Sequence, residues 1–375
     1  MNVSKVFFTN MRTKIDESLL VKMDRLIKKA GIGNIDFKNK YVAIKVHFGE
    51  PGNLSFLRPN FAKAAVDRIK SLGGMPFLTD CNTLYVGRRN QGLAHLDAAA
   101  ENGFSPASTG CHNVIADGIR GTDDVDVPVK GGKYCKKAHI GKAIMDADIV
   151  VSLNHFKGHE GTGFGGALKN IGMGSGSRAG KMAMHNEGKP QVESSICIGC
   201  RICERFCAHN AIAFIDGKAS ICQDACVGCG RCIGACSKNA IGSSWNSSGE
   251  ALSCKIAEYA KAVLDGRENF HINIVNQVSP FCDCHMNNDA AIIPDIGIFA
   301  SFDPVALDKA CIDAVNAMQK LPNSILSECK SVYKDSKGNE DHFTNIHPYT
   351  DWKIHLAHAE KIGLGTTNYE LITVK

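Results

Sequence analysis

Apolar positions along this chain alternate between two rhythms. From Lys40 the run KYVAIKVHFG is apolar and β-branched, which predicts a buried strand. RPNFAKAAVDRIKSLGG from Arg58 then spaces its apolar residues three and four apart before a Gly-Gly stop, which predicts a helix. The same exchange continues with a strand at MPFLTDC from Met75, a helix at LAHLDAAAENGF from Leu93, and strands at NVIADGI from Asn113 and DIVVSLNHF from Asp148. It stops near residue 189 and resumes after residue 243. There SGEALSCKIAEYAKAVLDG from Ser248 reads as a helix, FHINIVNQVS from Phe270 and IGIFAS from Ile296 as strands, and DPVALDKACIDAVNAMQ from Asp303 as a helix, with Asp303 as N-cap and Pro304 in its first turn.

This alternation predicts an α/β fold, a mixed or parallel sheet flanked by helices. In such sheets ligands sit beyond the carboxyl ends of the strands, where successive connections diverge. That singles out Lys45 and His47, Asp80 and Cys81, and the run from His155 to His159. For Tyr85, Arg88 and Arg89 the sequence leaves two equal readings, lining the same crevice or placement on the surface. Residues 1–189 and 244–375 read as two parts of one core, with 190–243 inserted between them. Gly188-Lys189-Pro190 and Gly242-Ser243-Ser244 are the expected seams.

The inserted stretch is one motif written twice. SICIGCRICERFCAHNAI from Ser195 and ACVGCGRCIGACSKNAI from Ala225 each carry C-x2-C-x2-C-x3-C and end on Asn-Ala-Ile. Such a loop wraps a cubane iron–sulfur cluster with three thiolates and lends its fourth to the other copy. The expected ligands are Cys197, Cys200, Cys203 and Cys236 for one [4Fe-4S] cluster, and Cys226, Cys229, Cys232 and Cys207 for the other. Soft thiolates suit such clusters. Zinc ribbons pair C-x2-C knuckles across a longer gap and have no need of the third cysteine. A disulfide framework fits poorly with an N-terminus that resembles no signal peptide. Residues 190–242 resemble the bacterial-type ferredoxin with two [4Fe-4S] clusters. That family places proline after each fourth cysteine, where this chain has Ala208 and Ser237. Cys222 is a spare thiol, expected as core filler.

Composition narrows the remainder. Of 375 residues 44% are hydrophobic, enough for one large domain and a small one. There is no apolar run of membrane-spanning length. The net charge of +5 is spread along the chain, which gives nucleic-acid binding no support. A cytoplasmic location is expected.

Two further blocks carry chemistry. In NHFKGHEGTGFGGALKNIGMGSGSRAGK from Asn154, His155 and His159 have a metal-ligand spacing if the backbone is helical, although Gly158 argues against a helix; a polar network at a strand end is the equal alternative. Lys157 and Lys169, with these histidines, are candidate catalytic groups. Gly163, Gly165, Gly166, Gly174 and Lys181 are candidates for an anion-cradling loop, with close packing against the sheet as the alternative. The glycines match neither a P-loop nor a dinucleotide fingerprint. In FCDCH from Phe281, an extended backbone would turn Cys282 and Cys284 to one face with His285 beside them. These three suggest a third metal or cluster, completed by Cys81 or a histidine of the earlier block. Cys111, Cys135, Cys254, Cys311 and Cys329 read as buried filler.

KVHFGEPGN from Lys45, the block from Asn154, and PFCDCH with PDIGIFASFDPVALDKA resemble the iron–sulfur family catalogued as domain of unknown function 362. The resemblance implies an α/β core, commonly with a ferredoxin insert, in anaerobes; it names no reaction. Two functions follow. One is an oxidoreductase passing low-potential electrons from the clusters to a metal or small-molecule substrate site in the core. The other is an electron carrier or metallo-enzyme maturation factor with no substrate of its own. Both require a redox partner protein, and neither requires nucleic acid or a membrane. The oligomeric state is open, a homodimer included.

Overall fold

In the computed structural model, which describes residues 3–185, 189–243, 249–330 and 332–375, eight strands pair into one mixed sheet. They are β1 (Ser4–Asn10), β2 (Tyr41–Lys45), β3 (Met75–Asp80), β4 (Asn113–Ile115), β5 (Ile149–His155), β6 (Glu268–Val275), β7 (Gly297–Ser301) and β8 (Tyr369–Thr373). Their spatial order is β8-β1-β7-β6-β5-β2-β3-β4. Only β7 runs against its neighbours, β6 and β1; the other pairs are parallel. The sheet joins both halves of the chain. β5 precedes the cysteine segment, β6 follows it, and they pair from Ile149↔Glu268 to His155↔Ile274.

Every residue of β5 is buried, as expected of a central parallel strand covered on both faces. Period two divides its side chains. Ile149, Val151 and Leu153 join the apolar layer beneath helices α1 (Leu19–Lys29), α2 (Pro59–Ser71) and α3 (Gly92–Glu101). Val150 faces the opposite layer, under α4 (Ala167–Ser175), α6 (Gly249–Leu264), α7 (Pro304–Asn316) and α8 (Trp352–Lys361). A short helix, α5 (Arg178–His185), follows α4. Also on the second face, Asn154 Nδ2 donates to Asn273 Oδ1 at 2.8 Å, and Ser152 Oγ lies 2.9 Å from His271 Nδ1, so polar groups inside the sheet are paired.

Asp303 caps α7 as expected: its Oδ1 accepts from Val305 N at 2.8 Å and Ala306 N at 2.9 Å, and Pro304 occupies the first turn. The strand expected from Asn113 is only three residues long, because the chain turns at Asp117, whose Oδ1 accepts from Asn82 N at 2.9 Å.

In the cysteine segment, Pro190–Val192 pairs antiparallel with Ile241–Ser243, bringing the two ends of the segment together. Gly188 and Ser244, at the expected seams, lie outside the described residues. A second pair, Ile212–Ile215 with Lys218–Ile221, builds the other end. Its apolar centre includes Ile212, Ala219, Ile233 and Ile241, and the core contributes Leu84 and Met182 to it. The sequence repeat is also a backbone repeat. Gly199 and Gly228 have φ 69° and 74°, Arg201 and Gly230 have 62° and 67°, and Asn210 and Asn239 have 49° and 54°. Asparagine tolerates the left-handed region, which explains why both copies close on Asn-Ala-Ile.

Candidate functional site

Beyond the carboxyl ends of β2, β3 and β5 lies a cavity of about 1110 Å3. β2 and β5 are neighbours whose following connections lead to opposite sides, toward β3 and β6 respectively, so the cavity sits at a topological switch point. The strand-end residues singled out from sequence, His47, Asp80, Cys81, Lys157 and His159, line it, as do Tyr85, Arg88 and Arg89.

One wall is a buried charge network. Lys45 is fully buried and pairs with Asp80 at 2.9 Å, while donating to Asn170 Oδ1 at 2.7 Å. Arg89 is also buried: its Nε donates to Glu50 Oε2 at 2.9 Å, Nη1 to His47 Nε2 at 2.9 Å and Nη2 to the Tyr85 hydroxyl at 2.7 Å. Burial and the adjacent Arg89 guanidinium push His47 well below its usual value, so this ring is neutral.

The opposite wall is the Cys282–His285 turn and the end of β5. The backbone here is a turn rather than the expected extended segment, with His285 N donating to Cys282 O at 3.1 Å. Asp283 anchors it. Its carboxylate, fully buried, accepts from His155 Nδ1 at 2.9 Å and lies 3.4 Å from Lys157 Nζ. His155 Nε2 faces Asn276 O at 2.9 Å, so both its nitrogens are engaged away from the cavity. His155 thus ties the Cys282–His285 turn to the end of β5 and does not line the cavity, unlike the other candidate catalytic groups Lys157, His159 and Lys169. His155 and His159 do not share a helix face. His155 ends β5, and His159 ends the short strand Lys157–His159, which pairs with Gly163–Gly165.

Cys282 is buried and accepts from Lys169 Nζ at 3.0 Å. A hydrogen bond from Cys284 and the Lys169 and Lys157 charges hold its thiol well below the ordinary range despite burial. Cys284 is displaced the other way by donating that bond and by burial. Burial works against the Lys169 ammonium, but the sulfurs keep it above its usual value. Next to them His285 Nε2 lies 2.8 Å from Glu160 Oε1. That hydrogen bond raises His285; burial would raise Glu160, but His159 and His285 hold it down. The ligating atoms of Glu160, Cys284 and His285 all lie within 4.8 Å of one another. Glu160 carries no spacing signal in the sequence. Cys81, the distant partner considered for this group, instead donates to Ser175 O at 3.4 Å.

The anion-cradle expectation is corrected. Gly163 and Gly165 lie in a buried strand, Gly166 precedes α4, and Gly174 lies within it. The first amides of α4 already have an anion: Ala167 N and Leu168 N donate to the Asp308 carboxylate at 2.8 and 2.9 Å. The glycines permit close packing instead. A Cβ at Gly166 would lie 2.3 Å from Asp308 Oδ1, and one at Gly174 2.5 Å from Lys45 Nζ. Lys181 does reach the cavity, donating to Gly176 O at 2.6 Å.

Eight cysteines of residues 190–243 gather into two groups of four. Cys197, Cys200, Cys203 and Cys236 surround one small cavity and Cys207, Cys226, Cys229 and Cys232 the other. Backbone amides point at the sulfurs: Ala211 N to Cys207 and Ala240 N to Cys236, both 3.3 Å, and Ala219 N to Cys197 at 3.4 Å. Arg178, on α5, lies against Gly230 and Gly234 of the second group. It is fully buried, and its Nη1 has no hydrogen-bond partner. Such donor-rich pockets suit an inorganic sulfide cluster. Cys222 is exposed rather than filler, whereas Cys111, Cys135, Cys254 and Cys311 are buried; Cys329 is half-buried.

The segment abuts the large cavity. Asn239, three residues after Cys236, lines it, and so does Leu84, which packs into the apolar centre of the segment. Among the described residues no helix is long and apolar enough to cross a membrane.

The fold and site define a mixed α/β protein whose large cavity, lined by many charged side chains, adjoins a duplicated cysteine segment. The chain belongs to the family described as Domain of unknown function (DUF362), whose sequence profile matches residues 42–313. Among solved structures it is similar to the lactate racemase apoprotein from Thermoanaerobacterium thermosaccharolyticum, at 12% identity over 94% of this chain and 81% of that one, with a TM-score of 0.42. No curated protein matches it.

Proposed function

We propose that this protein is an iron–sulfur oxidoreductase that takes electrons from a redox partner and delivers them to a small molecule in the cavity. The two cysteine quartets would hold [4Fe-4S] clusters, which supply single low-potential electrons. The observation that carries the reading is the crossed grouping, three cysteines from one copy and the fourth from the other, around two cavities of equal size. Backbone amides directed at Cys197, Cys207 and Cys236 would stabilise sulfur-borne negative charge.

The roles of the core residues follow from their contacts. Arg88, Arg89, Lys157, Lys169 and Lys181 outnumber Glu50, Asp80 and Glu160 on the cavity wall, which favours an anionic substrate. His159 accepts at Nδ1 from Gly161 N at 3.0 Å and Thr162 N at 3.1 Å, so its ring proton sits on Nε2, where it can be donated. His47, neutral and bound to Arg89, is held rigid rather than left to titrate. A cavity of about 1110 Å3 favours an enzyme over a carrier, which has no need of one.

Electron paramagnetic resonance of the anaerobic, dithionite-reduced protein tests this. Two paramagnetic centres are expected, one lost in Cys203→Ser and the other in Cys232→Ser. A reduced protein without such signals contradicts the proposal.

A further inference from the structure

We propose that Glu160, Cys284 and His285 bind one divalent transition-metal ion on the cavity wall, a centre separate from the cysteine quartets. This deepens the functional reading above, resting on it only for the cavity as the place of reaction. The ligating atoms lie within 4.8 Å of one another, close enough for one ion to draw them together. Two separate segments bring them there: Glu160 follows the short strand after β5, and the Cys282–His285 turn, which carries the other two ligands, is clipped to β5 through Asp283 and His155. A simple His–carboxylate ion pair would account for Glu160 and His285. It would not account for a turn anchored so that a thiol meets both.

The donor chemistry narrows the ion. One sulfur, one imidazole nitrogen and one carboxylate oxygen suit zinc, iron(II), cobalt(II) or nickel(II), whereas magnesium and calcium prefer oxygen alone. Only one of the two cysteines, Cys284, belongs to the converging group, and a single thiolate with one imidazole and one carboxylate fits one ion rather than a cluster. Glu160 and His285 have side-chain exposures of 41% and 46% on the cavity side, which leaves a coordination position for water or substrate, as in catalytic rather than structural sites. Lys169 and Cys282 stand behind Cys284, and His159 Nε2 lies 3.8 Å from Glu160 Oε1, supplying the surrounding polar groups that orient metal ligands. Such an ion would act as a Lewis acid toward a carbonyl or bound water of the substrate.

The test is a metal count. Anaerobic, cluster-loaded protein is equilibrated with zinc, desalted and analysed for zinc and iron. About one zinc per chain is expected in the wild type, and about one fewer in Cys284→Ser and in Glu160→Gln, with iron unchanged. Wild type that retains no zinc, or variants that retain as much as wild type, overturn the proposal. Wild type without iron would count against the electron-transfer reading alone. Zinc entering empty quartets would add equally to wild type and variants, leaving the one-ion difference readable.

Discussion

Arg178 Nη1 is a buried donor with no acceptor, on a side chain packed against Gly230 and Gly234 of the second cysteine group. Its Nε donates to Arg120 O at 3.1 Å and its Nη2 to Asn90 O, and Cys232 is among the charges it feels. A fixed cation beside the proposed second cluster would favour its reduced form. Arg178→Gln is therefore expected to lower one of two reduction potentials by on the order of 50–100 mV, with Arg178→Lys intermediate and iron content unchanged. Redox titration followed by paramagnetic resonance checks this; two unmoved potentials would count against it. At this scale the sequence is legible where spacing encodes chemistry. The eight module cysteines and Cys284 with His285 stand out because their intervals are unusual. Glu160 and Arg178 do not, since a single carboxylate or guanidinium has no interval to read, and Cys222 misleads because a lone thiol does not reveal its own burial.

At the scale of elements, α4 shows how tertiary contacts override composition. Its sequence ALKNIGMGS has glycines that weaken a helix by about 1 kcal/mol each, and reads as a loop. It is helical because Asp308, from α7, caps it and because Gly172 and Gly174 let neighbours approach: a Cβ at Gly172 would lie 2.1 Å from Ile256 O. That cap lies more than a hundred residues away in sequence, beyond the reach of local periodicity. Asp308→Asn replaces one accepting oxygen by a donor facing a donor and is expected to cost roughly 2–3 kcal/mol, seen as a lower guanidinium midpoint. In the cysteine segment, by contrast, the repeat was readable to the single residue. Asn210 has φ 49°, so Asn210→Ala is expected to destabilise the segment by about 1 kcal/mol while Asn210→Gly changes little. The denaturant midpoint for iron release measures both; equal midpoints for the two variants would contradict the conformational account.

For the whole molecule, the strand–helix rhythm located the cavity, because a parallel sheet that reverses its direction of growth must open a crevice at its strand ends. The mixed character was hidden, since β7 reads as any other buried strand and only its pairing reveals its direction. Burial also sets the pH response. His95, His185, His271 and His355 are pushed down to about 3 by burial, from 6.5. Between these values the unfolded chain binds protons that the folded one does not, so stability falls as pH drops below 6.5. Asp117 and Asp308, pushed up to about 6 by burial, act oppositely between about pH 4 and 6, where their stabilisation is lost as pH rises. The depressed histidines, His47 included, outnumber the two raised acids, so the net effect expected is a loss of stability as pH falls below 6. Guanidinium midpoints measured anaerobically at pH 7 and 5.5 check the sign, and a rise on acidification would refute it. The central claim is the pair of clusters, and iron and acid-labile sulfide in anaerobically purified protein test it most directly. About eight of each per chain is the expected result; near-zero iron and sulfide, with zinc in the quartets, would contradict it.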